Sequence, residues 1–553
     1  MSSAKSVSRN LRTVSLGTLL SRVLGLLRDQ GLAAYFGNGP LLDAFSVAFR
    51  IPNLARVLLG EGALTTAFLP IFIEEQTHRG TEAARKLSSA VFLATAGLLC
   101  GAVVLGELGL GLAISLGELS PEALLLCQLT AYLLPYVILI CLAAQQCAVL
   151  NALGLFIWPA LVPVVLNAIW LFSMLTYVRL WTDPTAQLQV MCVTVLLAGC
   201  CQLALPWIVL QRAGYGWARH WRDAWPGVMR LIRQMVPVVV GLSITQLNTL
   251  FDSLVAWGLA RPEDGSEYFV WWEGVRYPLS SGTASALYFG QRLYQFPLGV
   301  FGVALGTVLF PLLATHAQRK EWDRLRDDLS LGIRLVLAIG IPASAGLMLL
   351  AHPLAESLFQ YGKFDADDAR QTASMIAGYG AGVWAYCGLL ILQRGFYAMG
   401  DRMTPLRVGL GAVVLNIVLN LTLIWPMGGL GLALSTALLA TMQCLVTAWL
   451  MQDRIGGFDW RPIAVTLLKT MLATSLLALA CLAAQELVRH APINLGRAGR
   501  LGLPLLLGSA VYLVAARLIH LDEPWLLLRV AKNPRGKTMA SELPPVDRAT
   551  PSE

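Results

Sequence analysis

Apolar runs long enough to cross a bilayer follow one another along almost the whole chain, from Leu11 to Ile519. A hydrocarbon core about 30 Å thick is crossed by about 20 helical residues. About 14 spans are expected, over residues 11–36, 41–73, 87–116, 123–151, 156–180, 187–211, 235–260, 285–315, 331–358, 370–399, 406–426, 430–451, 463–487 and 499–519. Only 13% of the 553 residues are charged and 56% are hydrophobic, whereas a soluble domain carries about 25% charged residues. The chain reads as an all-α integral membrane protein.

The first two spans break the apolar rule. Arg22, Arg28, Asp29, Asp43, Arg50, Arg56 and Glu61 lie inside them, and Arg22 falls near the middle of the first. A charge at mid-membrane costs roughly 2.5–3.5 kcal/mol on insertion scales. Such a cluster needs a water-filled cavity, internal pairing or a charged ligand. Cations outnumber anions here, so the cavity should attract an anion. Arginine offers phosphate a planar, bidentate fork of donors and stays charged. Arg28 and Arg56 on the first two spans, with Arg292 on the eighth, suit a pyrophosphate. Pairing between spans, such as Arg22 with Asp43 or Arg28 with Glu61, remains open. A second polar set comprises Asp252 on span 7, Asn416 and Asn420 one turn apart on span 11, and Thr436 on span 12. These oxygens suit sodium, or Asp252 a proton; interhelical hydrogen bonding is the alternative.

Lys and Arg fall mostly in one alternate set of connections, which places both termini in the cytoplasm. Arg489, Arg497 and Arg500 break that pattern. The net charge of +8 is therefore read as positive-inside bias and not as nucleic-acid binding. The first apolar segment is too long, and too rich in arginine, for a cleavable signal peptide. All ten cysteines sit in apolar segments without metal-ligand spacing, which gives no sign of disulfides or a metal cluster.

Two short matches point to an internal duplication. Residues 63–70, ALTTAFLP, resemble residues 304–311, ALGTVLFP, and PVVLN ending at Asn167 resembles AVVLN ending at Asn416. Same-orientation repeats predict two similar bundles. Residues 1–211 then form a first six-helix lobe and 212–234 a basic linker. Residues 235–454 form a second six-helix lobe, 455–520 carry two additional C-terminal helices, and 521–553 form a polar tail. The connection from Arg261 to Ala284 is the longest on the outer side. Its Tyr268, Trp271, Trp272 and Tyr277 read as interfacial aromatics, with a gate or partner contact as the alternative.

The stretch Ser21-Arg22-Val23-Leu24-Gly25-Leu26-Leu27-Arg28-Asp29 resembles the start of the MurJ (MviN) family of lipid II flippases. So do Asp43-Ala44-Phe45, Phe49 to Leu54, Arg56 and Glu61-Gly62-Ala63. Gln291 to Pro297, Gly299 to Thr307, Leu358 to Phe364 and Gly395-Phe396-Tyr397 are similar to later parts of that family. The resemblance implies 14 helices in two six-helix lobes around a cationic cavity, within the multidrug/oligosaccharidyl-lipid/polysaccharide exporter superfamily. It implies that the last two helices form a groove for the lipid tail. The family's essential arginines fall at Arg22, Arg28, Arg56 and Arg292, and its acidic positions at Asp29, Asp43 and Glu61. A sodium site of some members falls at Asp252, Asn416, Asn420 and Thr436. Two departures stand out: Gln291 where an acid often precedes the arginine, and Asn420 in place of an acid.

The function expected is a transporter, not an enzyme. It would flip lipid II, the undecaprenyl-pyrophosphate-linked disaccharide-pentapeptide, across the bacterial cytoplasmic membrane by alternating access. No cofactor is expected beyond sodium or a proton as coupling ion. Expected partners are membrane lipids and cell-wall synthesis proteins. The alternative within the superfamily is export of another polyprenyl-linked glycan or a drug. A membrane glycan transferase would need a catalytic surface loop, for which only Glu263, Asp264 and Glu267 offer themselves. A scaffold would need no mid-membrane charge.

Overall fold

A computed structural model describes residues 2–262, 266–269, 274–490 and 496–526. The chain begins with α1 (Ser2–Phe36) and α2 (Pro40–Ala55), which runs without a loop into a nine-residue π-helical segment, π1 (Arg56–Leu64). Then come α3 (Thr65–Leu116), α4 (Pro121–Leu133), α5 (Tyr136–Ala152), α6 (Ile157–Leu175), α7 (Pro184–Arg212) and α8 (Trp225–Gly258). After a long connection, α9 (Thr283–Pro297), π2 (Leu298–Gly302) and α10 (Val303–Gln318) make one continuous rod. The rest comprises α11 (Trp322–Leu349), α12 (Ala351–Phe359), α13 (Ala366–Gly380), α14 (Val383–Ala398), α15 (Met403–Met427), α16 (Gly429–Ile455), α17 (Trp460–His490) and α18 (Gly496–Leu518).

Twelve helical stretches among the described residues are long and apolar enough to cross a membrane. They overlap the third to fourteenth expected spans. The first two spans are α1 and α2–π1, where the charges sit. Several boundaries differ from expectation for local reasons. Spans 2 and 3 follow each other with a break of a single residue, Gly80, whose non-helical φ 83° and ψ 178° are a conformation that glycine adopts without a Cβ clash. Span 4 breaks between α4 and α5 at Leu134–Pro135, where proline offers no N–H to continue the helix. The 261–284 connection is hairpin-like: Phe269 N–H donates to Val275 C=O and Tyr277 N–H to Glu267 C=O, both at 2.9 Å. Glu263, Asp264, Trp271 and Trp272 lie outside the described residues, as does the tail from residue 527.

The two π segments fall at matching places in the repeat. The offset that aligns Ala63 with Ala304 carries π1 onto residues 297–305, which contain π2. Wide π turns appear mostly as insertions at functional sites.

Packing divides the chain into two compact units, and not at the expected 212–234 linker. The first holds residues 1–289, 358–371 and 424–429; the second holds 290–357, 372–423 and 430–553. Helix α8 belongs to the first because it packs on α2, π1 and α3. In that unit Leu64, Phe68, Phe72, Leu87, Val91, Leu150 and Val228 form one buried cluster. Glycine permits its closest approaches: a Cβ on Gly60 would lie 2.8 Å from the Ala144 Cβ. In the second unit Leu309, Leu329, Leu335, Ile391, Phe396 and Met451 form the corresponding core. There α17 and α18 pair so tightly that a Cβ on Gly508 would lie 2.3 Å from Cys481 Sγ. Tyr512 and Gln485 bind that pair to α11 by donating to the carbonyls of Ala338 and Leu349.

Residues 358–371 strap onto the end of α1 in the first unit. Lys363 N–H donates to Ala34 C=O at 2.8 Å, and Asn38 N–H to Asp368 Oδ2 at 3.0 Å. Gly362 turns there at φ 61°, where a Cβ would stand 2.2 Å from the Ala34 carbonyl oxygen. The left-handed conformation alone costs a non-glycine residue roughly 1–2 kcal/mol. Gly362→Ala should therefore destabilise the protein by more than about 2 kcal/mol, read as a lowered melting temperature in detergent. Gly97→Ala, at an open helical site, should be neutral or slightly stabilising. Equal melting of the two variants would refute the strap.

Candidate functional site

The charge at the centre of the first unit is Arg28. Its position on α1 is forced into apolar surroundings, and only 5% of the residue is exposed. Every edge of the guanidinium is engaged. Nε and Nη2 both donate to Asp29 Oδ1, at 3.1 and 2.8 Å. Nη1 donates to Asn167 Oδ1 on α6 at 3.2 Å, and Nη2 also donates to the Tyr288 hydroxyl on α9 at 3.0 Å. That hydroxyl donates onward to Asp29 Oδ1 at 3.0 Å. The guanidinium carbon lies 4.8 Å from the centroid of Trp170 and 6.0 Å from that of Phe49, within cation–π range. Phe45 and Phe49 of α2 meet Trp170 edge-on, at 5.9 and 5.3 Å. Asn167 is held in turn by its amide, which donates to Ser21 C=O at 3.1 Å.

Arg22, also on α1, is exposed and makes no hydrogen bond or ion pair with the described residues. The Arg22–Asp43 pair considered from the sequence does not form. Asp43 instead caps the start of α9 from a distance. Its Oδ2 accepts from Gly282 N–H at 2.8 Å, and its Oδ1 from Ser285 N–H and Oγ at 2.6 and 2.7 Å. A carboxylate there satisfies otherwise orphaned amides and complements the helix dipole. Arg56, the first residue of π1, is half-buried and donates to Asn53 Oδ1 at 2.9 and 3.3 Å. Arg50 reaches Thr249 C=O at 3.0 Å. Asp252 is buried on α8. The side chain of Glu61 lies outside the described residues.

In the second unit Arg292 is half-buried on α9. Beside it Gln291, which stands where an acid was expected, donates to the Tyr379 hydroxyl at 3.1 Å. Tyr294 stacks on both Tyr379 and Tyr386, at 5.1 and 5.2 Å. Asn416 and Asn420 are fully buried on α15. Asn420 Nδ2 donates to Asn416 Oδ1 at 2.9 Å, and Ser435 Oγ on α16 donates to Asn420 Oδ1. Thr436 Oγ1 turns to its own helix, donating to Leu432 C=O at 3.0 Å. In this arrangement both amide oxygens already accept internal donors. An amide oxygen carries two lone pairs, so a cation can share either oxygen with the donor it already holds.

The residue types of the first cluster were legible, but Tyr288, Trp170 and Ser285 were missed. Asn167 was noticed only as part of the repeat. Their partners lie far away in the chain, and no spacing rule links them.

Charges held within membrane-spanning helices mark the pathways of transported ions and substrates, and a chain built this way is of the transporter class. A solved structure titled lipid II flippase MurJ, inward closed conformation, aligns with TM-score 0.71 at 22% identity, over 92% of this chain and 99% of that one. An inward-facing multidrug resistance MATE transporter of the MOP superfamily aligns with TM-score 0.61 at 13% identity, over 79% of this chain and 94% of that one.

The family profile described as "Lipid II flippase MurJ" matches residues 32–495. A probable lipid II flippase MurJ of Vibrio cholerae serotype O1 is 34% identical over 78% of this chain and 80% of its own length. One of Rhizobium tropici is 29% identical over 96% and 97%. The chain belongs to the MurJ lipid II flippase family, whose members are transporters and not enzymes.

Asp43→Ala should expose the cost of its distant cap. Two buried amide donors lose their acceptor, at about 1–3 kcal/mol each, so the melting temperature should fall well below that of Arg22→Ala. Arg22 touches nothing described, and its removal should leave melting nearly unchanged. The reverse order would contradict the capping role.

Proposed function

We propose that this chain flips lipid II from the cytoplasmic to the outer face of the bacterial cytoplasmic membrane. The termini lie in the cytoplasm, and the protein works by alternating access. The observation that carries the reading is Arg22: an exposed guanidinium in mid-span, unpaired among the described residues, in a chain matched to the family over residues 32–495. Such a charge is too costly to leave facing hydrocarbon, so it faces a watery cavity that can receive an anion.

Arg22, Arg28, Arg56 and Arg292 bind the pyrophosphate, each offering the donor fork that suits phosphate oxygens. The Arg28 edge that now holds a single oxygen of Asp29 through Nε and Nη2 is the edge a phosphate oxygen takes. Asp29 thus keeps Arg28 satisfied when substrate is absent. Asp43 and Glu61 shape the cavity around the cations. The apolar pair α17–α18 forms the groove for the polyprenyl tail, and proteins of cell-wall synthesis receive the product.

Membrane potential drives both strokes. It is worth about 2.3 kcal/mol per elementary charge per 100 mV, and an inside-negative field moves an anion outward and returns the empty arginines inward. A proton at Asp252, or sodium at Asp252 with Asn416, Asn420 and Thr436, biases the return.

Arg56→Ala and Arg292→Ala should each abolish lipid II movement at near-normal expression, and Arg28→Ala should abolish it with a loss of folded protein, because Asp29 is left buried without its cation. Arg→Lys should restore it only in part, because a point charge lacks the fork. The readout is lipid II accessibility on each face of reconstituted vesicles. Normal flipping by all three alanine variants would defeat the assignment. Asp252→Asn should slow turnover without weakening lipid II binding. If that variant flips normally at every sodium concentration and pH tested, Asp252 is structural and the potential acts alone.

A further inference from the structure

The first unit contains a pocket that the transport reading does not use. Ser88 and Phe92 on α3, Gln145 and Gln146 on α5, Trp207 on α7 and Trp217 just beyond α7 line a recess of about 30 Å³, open to one side and large enough for a single small group. Every lining side chain is uncharged. The rings of Phe92, Trp207 and Trp217 stand 5.6, 6.2 and 6.4 Å apart, pair by pair. Gln145 and Gln146 are 0% and 3% exposed. Gln145 Nε2 donates to Ser88 C=O at 3.3 Å, which fixes the opposite atom as the acceptor. The Oε1 atoms of both glutamines are buried with no hydrogen-bond donor among the described residues.

Interfacial tryptophans alone are ordinary at a membrane boundary. Two adjacent buried acceptors without donors are not, because such groups are nearly always satisfied. The lining thus offers acceptors and π faces, and none of its buried donors is left unpaired. A group that brings only donors and a positive charge complements it: a primary ammonium, bonded to the two oxygens and resting against the rings. The flanks add the opposite preference. Arg212 follows the lining residue Gln211, and Arg219 lies two residues past Trp217, both exposed.

We propose that this pocket binds the phosphoethanolamine headgroup of an inner-leaflet aminophospholipid. The ammonium sits on Gln145 and Gln146, and the phosphate faces Arg212 and Arg219. The choice of leaflet rests on the orientation proposed above; the binding chemistry does not.

The test uses the full-length protein in detergent and short-chain lipids that differ only in N-methylation, from ethanolamine through the monomethyl and dimethyl forms to choline. Affinity is read from tryptophan fluorescence and thermal shift. Each methyl removes a donor, so affinity should fall stepwise, by about tenfold or more between ethanolamine and choline. Gln146→Leu should erase that discrimination, and Trp217→Leu should weaken the whole series. Equal affinity across the series would overturn the proposal, as would equal binding of a phosphatidylglycerol. Soluble phosphoethanolamine binding as tightly as the lipid would overturn the assignment to a membrane component. Should the glutamine variant fail to fold, the series on the wild-type protein still decides. Flipping is not measured, so a failure of the transport reading leaves this result intact.

Discussion

A guanidinium cannot be left bare in hydrocarbon, and the first unit is built around that fact at Arg28. The arginine joins α1 to α6 through Asn167 and to the start of α9 through Tyr288. Trp170 covers its face, and α2 supplies Phe45 and Phe49 to pack on that indole. Four helices are therefore specified by contacts to one charge or to the ring that shields it. Hydrophobic burial gives little drive for helices to associate inside a membrane, where lipid is as apolar as leucine. Polar bonds and close packing must supply the specificity, and Arg28 supplies both.

Helix irregularity is concentrated beside the cations. Arg56 begins π1, and π2 follows directly on α9, which carries Arg292. A π turn widens the helix and frees a carbonyl from its usual register. It also needs room: a Cβ on Gly62 would come within 2.8 Å of the Val57 carbonyl oxygen and 2.1 Å of Leu242. The glycines around Glu61 are thus explained by the backbone they allow.

Hydropathy made the spans legible, because twenty apolar residues have few alternatives in a membrane protein. It could not show that a single residue, Gly80, would part the two helices there, since helix and short polar loop have similar composition. The cations were legible as misplaced charges. Their partners were not: Asn167 and Tyr288 are 139 and 260 residues from Arg28, and no periodicity spans such distances. Asp43 belongs to the charged set by residue type, yet its partners are the Ser285 hydroxyl and two backbone amides, and amides leave no trace in side-chain patterns. The Thr436 hydroxyl turns to its own helix. A step of one residue turns about 100° around a helix, and it is Ser435 that faces Asn420.

The asparagines that align in the two matching segments sit in different polar networks. Asn167 and Asn416 end the matching PVVLN and AVVLN segments, and both are buried. In the first unit the carbonyl of Asn167 accepts from a cation. In the second the carbonyl of Asn416 accepts from the neutral amide of Asn420, which takes the Ser435 hydroxyl in turn. The same residue type at matching sequence positions therefore serves a charged network in one unit and an uncharged chain in the other. An uncharged chain of this kind can exchange donors without moving net charge through hydrocarbon, whereas parting Arg28 from Asp29 separates two buried opposite charges, at a cost that grows as the surroundings become less polar.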